Sequence, residues 1–227
     1  MKRFCSLFIW VCLGALLTPV SAQLAHRWDF QFLLGFSNYI TTEIEPVLTY
    51  KLTPYLGVGM GVCVNWRSYS NPHIPEKSLD GRFEYSLDES ELEWSLAFRP
   101  QLQFLTPEFD INHFQDMTFQ FEISPGLTLA SPRNRVAVEC SPVVHSSVRQ
   151  DVIYHYYENE SNDWLFYHCR FALHGNVSDR FSLILGYQLS NYDPYNDTRG
   201  LYIDNEKVTI RDRSLYGCVY LGASYRF

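Results

Sequence analysis

The chain has 227 residues, with 18 lysines and arginines against 25 aspartates and glutamates, and its net charge of −7 leaves no basic stripe for nucleic acid. Aromatic residues make up 16% of it, yet beyond the N-terminal segment no stretch approaches the roughly 18 consecutive apolar residues of a membrane helix. Nucleic-acid binding and a helical membrane span of the mature chain are therefore excluded.

Residues 1–22 have the pattern of a secretory signal peptide. A basic start is followed by an almost wholly apolar run to Val20, and small residues lead up to Ala22. We expect cleavage near Ala22, which leaves a mature domain of residues 23–227. Because cleavage removes two basic residues and no acidic one, the net charge changes to −9.

Apolar and polar residues alternate at period two over most of the mature chain. The first such segment places Trp28, Phe30 and Phe32 on one face, with Asp29 and Gln31 on the other. This pattern predicts a strand with one oily face and one mostly polar face. The pattern occurs in eight segments: residues 28–37, 44–52, 56–66, 91–104, 117–129, 165–174, 181–190 and 215–227.

The length and polarity of these segments predict an all-β fold, an eight-stranded antiparallel up-and-down transmembrane β-barrel. Each has about the 9–11 residues that a tilted membrane strand needs. The alternative is a soluble β-sandwich, but small residues, amides and charges occupy the second face of every strand, as in a barrel interior. Aromatic residues near the strand ends are expected to form two interfacial girdles: Trp28, Phe104, Phe181, Tyr225 and Phe227 at one, and Trp66, Trp94, Tyr167 and Tyr187 at the other.

The connections predict which end of the barrel faces which compartment. An even number of strands places both chain ends on one side, and the tight turns at Thr53-Pro54 and residues 175–179 fall there too. We expect this side to be periplasmic and the long loops to face outward. Residues 105–116 are long for a periplasmic turn, and residues 38–42 are short for an outer loop.

Three prolines, Pro46, Pro100 and Pro125, fall inside predicted strands. Proline removes a donor from the hydrogen-bond ladder and is normally found at sheet edges or bulges. Because a closed barrel has no edge, we expect a local bulge at each of them.

Four cysteines remain after cleavage: Cys63, Cys140, Cys169 and Cys218. Cys63 and Cys218 point inward from strands three places apart, which exceeds the roughly 7 Å between Cα atoms that a disulfide allows. Cys169 faces lipid and Cys140 lies in a loop. We therefore expect four free thiols.

The chain ends in Ser224-Tyr225-Arg226-Phe227, with an aromatic last residue closing an alternating strand. This resembles the C-terminal signal of outer-membrane barrels. Together with the signal peptide, the mature chain resembles the small eight-stranded families, including the OmpA-like, OmpX-like and PorT-like groups. The resemblance implies an outer-membrane location, contact with outer-membrane lipid, and insertion by the barrel-assembly machinery with Tyr225 and Phe227 as the assembly signal. It assigns no catalytic or binding residue.

An eight-stranded barrel is only just wide enough for side chains to fill, and the inward faces of these strands are charged. We expect a bonded network that plugs the lumen, since an unpaired charge there would cost several kcal/mol. Glu122 is expected to lie between Arg99 and Arg170, with His168 close by. Two further pairs are predicted, one joining Asp29 to Arg226 across the closing seam and one joining Arg67 to Glu91 or Glu93.

The sequence predicts no catalytic, cofactor or metal site. His168 and His174 share a face but stand about 20 Å apart at ~3.3 Å per residue. His145 and Ser147 lack a placed carboxylate partner for nucleophilic catalysis. The acidic segment from Asp193 to Asp204 has no recognisable calcium-loop pattern.

We therefore predict a monomeric, non-enzymatic outer-membrane barrel that acts as a structural platform, with extracellular loops that bind a protein partner. Residues 130–162 are rich in valine and tyrosine and are expected to extend a hairpin beyond the membrane, available for strand addition. Three alternatives stay open: a PorT-like component of a secretion or envelope-assembly apparatus, a small-solute channel and a lipid-modifying enzyme.

Overall fold

The computed structural model describes residues 27–67, 74–87, 94–111, 117–131, 134–143, 153–161, 163–196, 198–209 and 215–227. The predicted signal peptide lies outside these residues, so its cleavage stays a prediction. Within the described part of the chain, no helix is long and apolar enough to cross a membrane.

The described residues form fourteen strands. They are β1 (Trp28–Ser37), β2 (Thr41–Thr53), β3 (Leu56–Arg67), β4 (Phe83–Leu87), β5 (Trp94–Leu105), β6 (Phe109–Asp110), β7 (Thr118–Ala130), β8 (Arg135–Pro142), β9 (Ile153–Glu158), β10 (Leu165–Asn176), β11 (Phe181–Ser190), β12 (Tyr202–Ile203), β13 (Glu206–Lys207) and β14 (Tyr216–Arg226).

Eight of these strands close into a barrel in chain order. Antiparallel pairing runs β1-β2-β3-β5-β7-β10-β11-β14, and β14 pairs back with β1. At the seam, the backbone amides of Trp28 and Phe227 donate to each other's carbonyls, at 3.2 and 2.9 Å between nitrogen and oxygen. The predicted up-and-down topology is confirmed.

The barrel wall is apolar outside and polar inside. In β1, Asp29 and Gln31 are buried, while 49% of Phe32 and 57% of Phe36 is exposed. The same alternation runs through the other barrel strands, so a belt of large apolar side chains surrounds the outer wall. Closed pairing and an apolar exterior are what lipid requires of a spanning sheet. The fold is therefore a transmembrane β-barrel.

Aromatic side chains lie on the outer wall near both ends of the strands. Trp28 contacts Tyr50 with ring centroids 5.0 Å apart, and Tyr225 stacks on Phe227 at 6.4 Å. At the other end, Trp66 lies directly opposite Trp94 in the β3–β5 register. These positions match the two predicted girdles.

The two ends of the barrel carry different connections. The turn end holds the start of β1, the end of β14, the β2–β3 and β10–β11 turns, and the longer segment between β5 and β7 that contains β6. The loop end holds a tight turn between β1 and β2 and three long connections. This distribution agrees with the sequence-based prediction, including its two exceptions.

The predicted bulges at the three prolines are wrong. Pro46 lies opposite Phe32, Pro100 opposite Met60 and Pro125 opposite Cys169, all without a change of register. The neighbouring ladder on the other side of each proline instead omits residue pairs while keeping its register. The missing donor is therefore accommodated by a gap in one ladder, and no residue is inserted.

A separate three-stranded sheet lies at the loop end. Its order is β4-β8-β9, and we call it the outer sheet. The hairpin of β8 and β9 confirms the one predicted within residues 130–162, whereas β4, from the preceding long connection, was not predicted. Buried residues of the outer sheet pack against the connection between β11 and β14. This outer core comprises Val136, Val138, Cys140, Leu201, Ile203 and Val208.

The four cysteines of the mature chain are free, as predicted. Cys63 and Cys218 are buried on the inner wall of the barrel. Cys140 is in the outer core and not in a loop.

Candidate functional site

Four charged side chains from β2, β5 and β10 form a continuous ion network inside the barrel. Arg99 donates from both terminal nitrogens to Glu43, at 2.9 and 2.7 Å, and from Nη1 to Glu45 at 2.6 Å. Arg170 Nη2 donates to the second oxygen of Glu45, also at 2.6 Å. We call Glu43, Glu45, Arg99 and Arg170 the lumen ion network. Both arginines are at most 1% exposed, so their charges are compensated entirely by protein groups.

Local sequence makes room for this network. Gly61 of β3 faces Glu45, and a Cβ at Gly61 would overlap the Glu45 carboxylate. Across the lumen, the Arg170 guanidinium lies 5.1 Å from the ring centroid of Tyr220. Gly61 on β3 therefore leaves space for the long charged side chains of the neighbouring strands β2 and β5 in the narrow interior.

The prediction that Glu122 lies between Arg99 and Arg170 is wrong. In the β5–β7 register, Glu122 is opposite Leu105, six residues along β5 from Arg99. At ~3.3 Å per residue this stagger amounts to about 20 Å. The prediction assumed that residues at equal distances from the turn-end termini of their strands lie at the same height in the barrel. That assumption places Arg99 and Glu122 side by side, but it ignores the stagger between neighbouring strands.

Glu122 instead forms a second cluster near the turn end. Its carboxylate is bound by His174 Nε2 at 2.6 Å, Gln103 Nε2 at 2.7 Å and Ser124 Oγ at 2.6 Å. His174 and Glu122 are each 1% exposed. His168, predicted to join the arginines, has its Nδ1 2.9 Å from the Thr128 hydroxyl.

The predicted cross-strand position of Asp29 and Arg226 at the closing seam is confirmed, but the predicted contact between their side chains is wrong. Asp29 and Arg226 are direct cross-strand partners of β1 and β14. The Asp29 carboxylate, however, lies 3.8 Å from Lys51 Nζ. Arg226 Nη2 donates to Gln120 and Asn176, at 3.2 and 3.1 Å. Asp29 and Arg226 therefore each interact with side chains of other strands and not with each other.

Arg67 is buried near the loop end, with its guanidinium 5.8 Å from the ring centroid of Tyr195. Its predicted partners, Glu91 and Glu93, lie outside the described residues. His145 and Ser147, which were considered for nucleophilic catalysis, also lie outside them.

Aromatic residues close the lumen at the loop end. Tyr192 and Tyr195, from the connection after β11, pack with residues of the wall in one buried cluster. Tyr39 and Tyr216 stack within this cluster at 5.8 Å between centroids. The Tyr216 hydroxyl also donates to Glu43 at 2.8 Å and so joins the cluster to the lumen ion network. We call Tyr39, Phe166, Tyr192, Tyr195, Tyr216 and Cys218 the mouth cluster.

Below the mouth cluster, the described residues leave little space beside the lumen ion network. A cavity of about 10 Å³ remains beside Glu43, Glu45 and Arg170, about the space of one water molecule. The donor atoms of Glu43, Glu45 and Cys63 lie within 4.8 Å of one another, as in a metal site. Arg99 already binds both carboxylates, so the cation of this site is the guanidinium.

A larger concavity opens on the outer sheet. It has a volume of about 310 Å³ and we call it the outer cleft. Its walls come from β4, β8 and β9, the 78–80 turn and the hairpin of β12 and β13. The lining residues are Ser78, Leu79, Asp80, Phe83, Tyr85, Cys140, His155, Tyr157 and Asp204.

Asp204 is held in place at the tip of the β12–β13 hairpin. It and Asn205 have positive φ angles of 51° and 68°, the backbone conformation that two-residue hairpin turns require and that aspartate and asparagine tolerate. Its Oδ2 accepts hydrogen bonds from the Tyr85 hydroxyl at 2.7 Å and the Leu79 amide at 3.2 Å. The other carboxylate oxygen, Oδ1, has no hydrogen bond among the described residues.

Tyr85 acts as a donor within this arrangement. Desolvation and the hydrogen bond to Asp204 raise the pKa of Tyr85. Desolvation also raises the pKa of Tyr157 beside it. Both phenols therefore stay protonated at neutral pH, and the negative charge of the cleft is carried by Asp204 and Asp80.

The loop-end connections are rich in acidic residues. The long connections at the loop end, residues 68–93, 131–164 and 191–215, contain 17 of the 25 acidic residues and 9 of the 16 basic residues of the predicted mature chain. The barrel and turn end together are therefore close to neutral. Among the described residues of these connections, 10 are acidic and 5 are basic, so the described part of the loop end has a net charge of −5.

Sequence reasoning missed Glu43, the role of Glu45 and the outer cleft. The second strand was predicted to begin at residue 44 and the preceding loop to end at residue 42, so Glu43 was assigned to neither, and its position on the same face as Glu45 was not recognised. Extending the alternation back to Thr41 would have placed both carboxylates inward. No comparable signal marks the cleft, since its residues come from three separate loop-end connections.

No protein-family model matches the chain, and no curated protein matches it in sequence. Among solved structures, it is similar to the N-terminal β-barrel domain of Pseudomonas aeruginosa OprF, with a TM-score of 0.44, 6% identity and coverage of 88% of this chain and 96% of that one. Neisserial surface protein A has a TM-score of 0.39 at 9% identity, covering 88% and 94%. The Yersinia pestis attachment invasion locus protein Ail has a TM-score of 0.35 at 11% identity, covering 88% and 96%. All three are outer-membrane barrels, and likenesses at this level carry no functional argument.

Proposed function

We propose that this protein is a sealed, non-enzymatic outer-membrane barrel that presents the outer sheet to a partner outside the cell. The observation that supports this most directly is the outer core. Loops that serve only as connections do not need a hydrophobic core of their own, whereas a recognition surface gains from a rigid support. The barrel would then anchor the protein in the membrane, and the outer sheet would bind the partner.

The filled lumen supports an anchor over a channel. The lumen ion network spans the interior, and the mouth cluster covers it from the loop end. A solute path would require both to separate, breaking buried ion pairs in a poorly hydrated space. We therefore expect no steady conductance in planar bilayers.

Strand addition along the edge of β9 that faces away from β8 is the proposed mode of partner binding. The opposite edge of the outer sheet is covered, because the backbone of residues 76–78 bonds to β4. Along β9, the described residues form a bridge only at Asn159, which pairs with Leu201. The side chains of Tyr154 and Tyr156 beside this edge are 48% and 64% exposed.

Site-specific photo-crosslinking in living cells tests the proposal. A photoreactive amino acid at Tyr156 is expected to give a discrete protein adduct. The matched position is Arg180, in the exposed turn between β10 and β11, where no adduct is expected. Adducts at Arg180 alone would instead favour a component of a secretion or envelope-assembly apparatus and would overturn the platform proposal.

A further inference from the structure

We infer that the outer cleft binds a guanidinium group, presented by an arginine-rich peptide segment of a partner. This inference deepens the proposed function and rests on it, since it requires the loop end to face the partner. The ligand class follows from three features of the cleft: its size, its aromatic walls and its charge.

The size and walls of the cleft suit one extended side chain. A volume of about 310 Å³ is at the lower end of the range for small-ligand pockets, about 300 to 1,000 Å³. Phe83, Tyr85 and Tyr157 contribute aromatic surface to it. A planar guanidinium stacks on such rings and is weakly hydrated, so it loses less on entering an aromatic cleft than an ammonium does.

The charged groups of the cleft lining are two carboxylates, Asp80 and Asp204. Asp204 Oδ1 has no hydrogen bond among the described residues, while its Oδ2 is fixed by two donors. Asp80 lies in the adjoining 78–80 turn, where Ser78 Oγ and the Arg82 amide donate to its Oδ1 at 2.6 and 3.1 Å. Its Oδ2 lies 3.5 Å from Arg82 Nε in a pair whose side chains are 53% and 80% exposed, so a ligand guanidinium would replace Arg82 at this oxygen. Carboxylates oriented in this way form charge-assisted hydrogen bonds with guanidinium.

The charge of the surrounding surface favours a cation over an anionic or neutral ligand. The described residues of the loop-end connections include 10 acidic and 5 basic residues, a net charge of −5. Such a field accelerates the approach of a basic partner and opposes an anionic one. A neutral sugar would gain nothing from it.

Fluorescence anisotropy with purified, folded full-length protein in detergent tests the inference. The probes are labelled tetra-arginine, tetra-lysine and tetra-glutamate peptides at physiological ionic strength. We expect tetra-arginine to bind several-fold more tightly than tetra-lysine and tetra-glutamate not to bind. Equal affinity for the two basic peptides, or no binding of tetra-arginine, would overturn the inference.

Two matched variants locate the binding site. Asp204→Asn keeps the shape of the side chain and a residue type that tolerates positive φ, so the hairpin is retained. It is expected to weaken tetra-arginine binding about tenfold, the effect of losing one charge-assisted hydrogen bond. Glu206→Gln makes the same change of charge in the same hairpin but outside the cleft, and less than a twofold effect is expected.

The outcomes separate this inference from the proposed function. Equal weakening by Asp204→Asn and Glu206→Gln would show general attraction to an acidic surface and would overturn the cleft as the site. Crosslinking at Tyr156 does not depend on the cleft, because Tyr156 is outside its lining. Adducts at Tyr156 with no peptide binding would therefore retain the platform and reject the guanidinium site.

Discussion

The barrel wall and the outer sheet use the same period-two alternation with opposite polarity. In the barrel, Arg99 and Arg170 are at most 1% exposed, whereas half of the Val219 side chain faces outward. In the outer sheet, Val138 is fully buried and 81% of the Glu158 side chain is exposed. The barrel therefore has a polar interior and an apolar exterior, whereas the outer sheet has an apolar interior and a polar exterior.

The inversion follows from the surroundings of each sheet. Lipid accepts the apolar face of the barrel, so the lumen receives the polar residues and must satisfy them with one another. Water accepts the polar face of the outer sheet, so its stability comes from burying apolar surface. Charge pairing should therefore dominate the stability of the barrel and apolar packing that of the outer sheet.

The largest effect is expected for Arg99→Met in the lumen ion network. The variant leaves Glu43 and Glu45 without their shared partner in a buried site, which costs about 3–5 kcal/mol. Urea unfolding in lipid vesicles, followed by tryptophan fluorescence, measures the change. Leu102→Met, a substitution on the lipid-facing side of the same strand, is the control. Equal midpoints for the two variants would refute a charge-dependent lumen.

Leu201→Ala is expected to destabilise the outer sheet and leave the barrel intact. Leu201 is fully buried in the outer core, and removal of such a side chain costs about 2–5 kcal/mol. Limited proteolysis should cut the outer sheet faster, while the mobility shift between unheated and boiled samples on gels is retained. Loss of that shift would mean that the two regions fold as one unit.

Glu122→Ala is expected to destabilise the barrel by about 1–3 kcal/mol, the cost of leaving a buried hydrogen-bond donor without its acceptor. The reason is the loss of the carboxylate that His174 and Gln103 bind. The effect should be smaller than that of Arg99→Met, because no arginine is left unpaired. Urea unfolding under the same conditions measures the loss of stability in both variants. If Glu122→Ala lost more stability than Arg99→Met, the Glu122 cluster would contribute more to the barrel than the lumen ion network does.

The sequence was sufficient to predict the topology but not the lumen contacts. Alternation assigns each side chain to a face, and eight amphipathic segments with tight turns admit one simple closed sheet. Which charges meet depends on the stagger between strands, and the six-residue offset between Arg99 and Glu122 has no local signal. The outer cleft was beyond reach for a related reason: Asp80, Tyr157 and Asp204 converge only after three connections have packed together.

The smallest effect is expected for Arg135→Met in the outer sheet, which makes the same chemical change as Arg99→Met. Arg135 Nη2 lies 3.6 Å from Glu158 in a pair whose side chains are 68% and 81% exposed. Water screens both charges, so such pairs contribute about 0–1 kcal/mol. We expect the proteolysis rate of the outer sheet to change less than twofold, and the double variant Arg135→Met/Glu158→Gln to show no further loss. If Arg135→Met exposed the outer sheet to protease as strongly as Leu201→Ala does, charge pairing would support both regions and the contrast between them would fail.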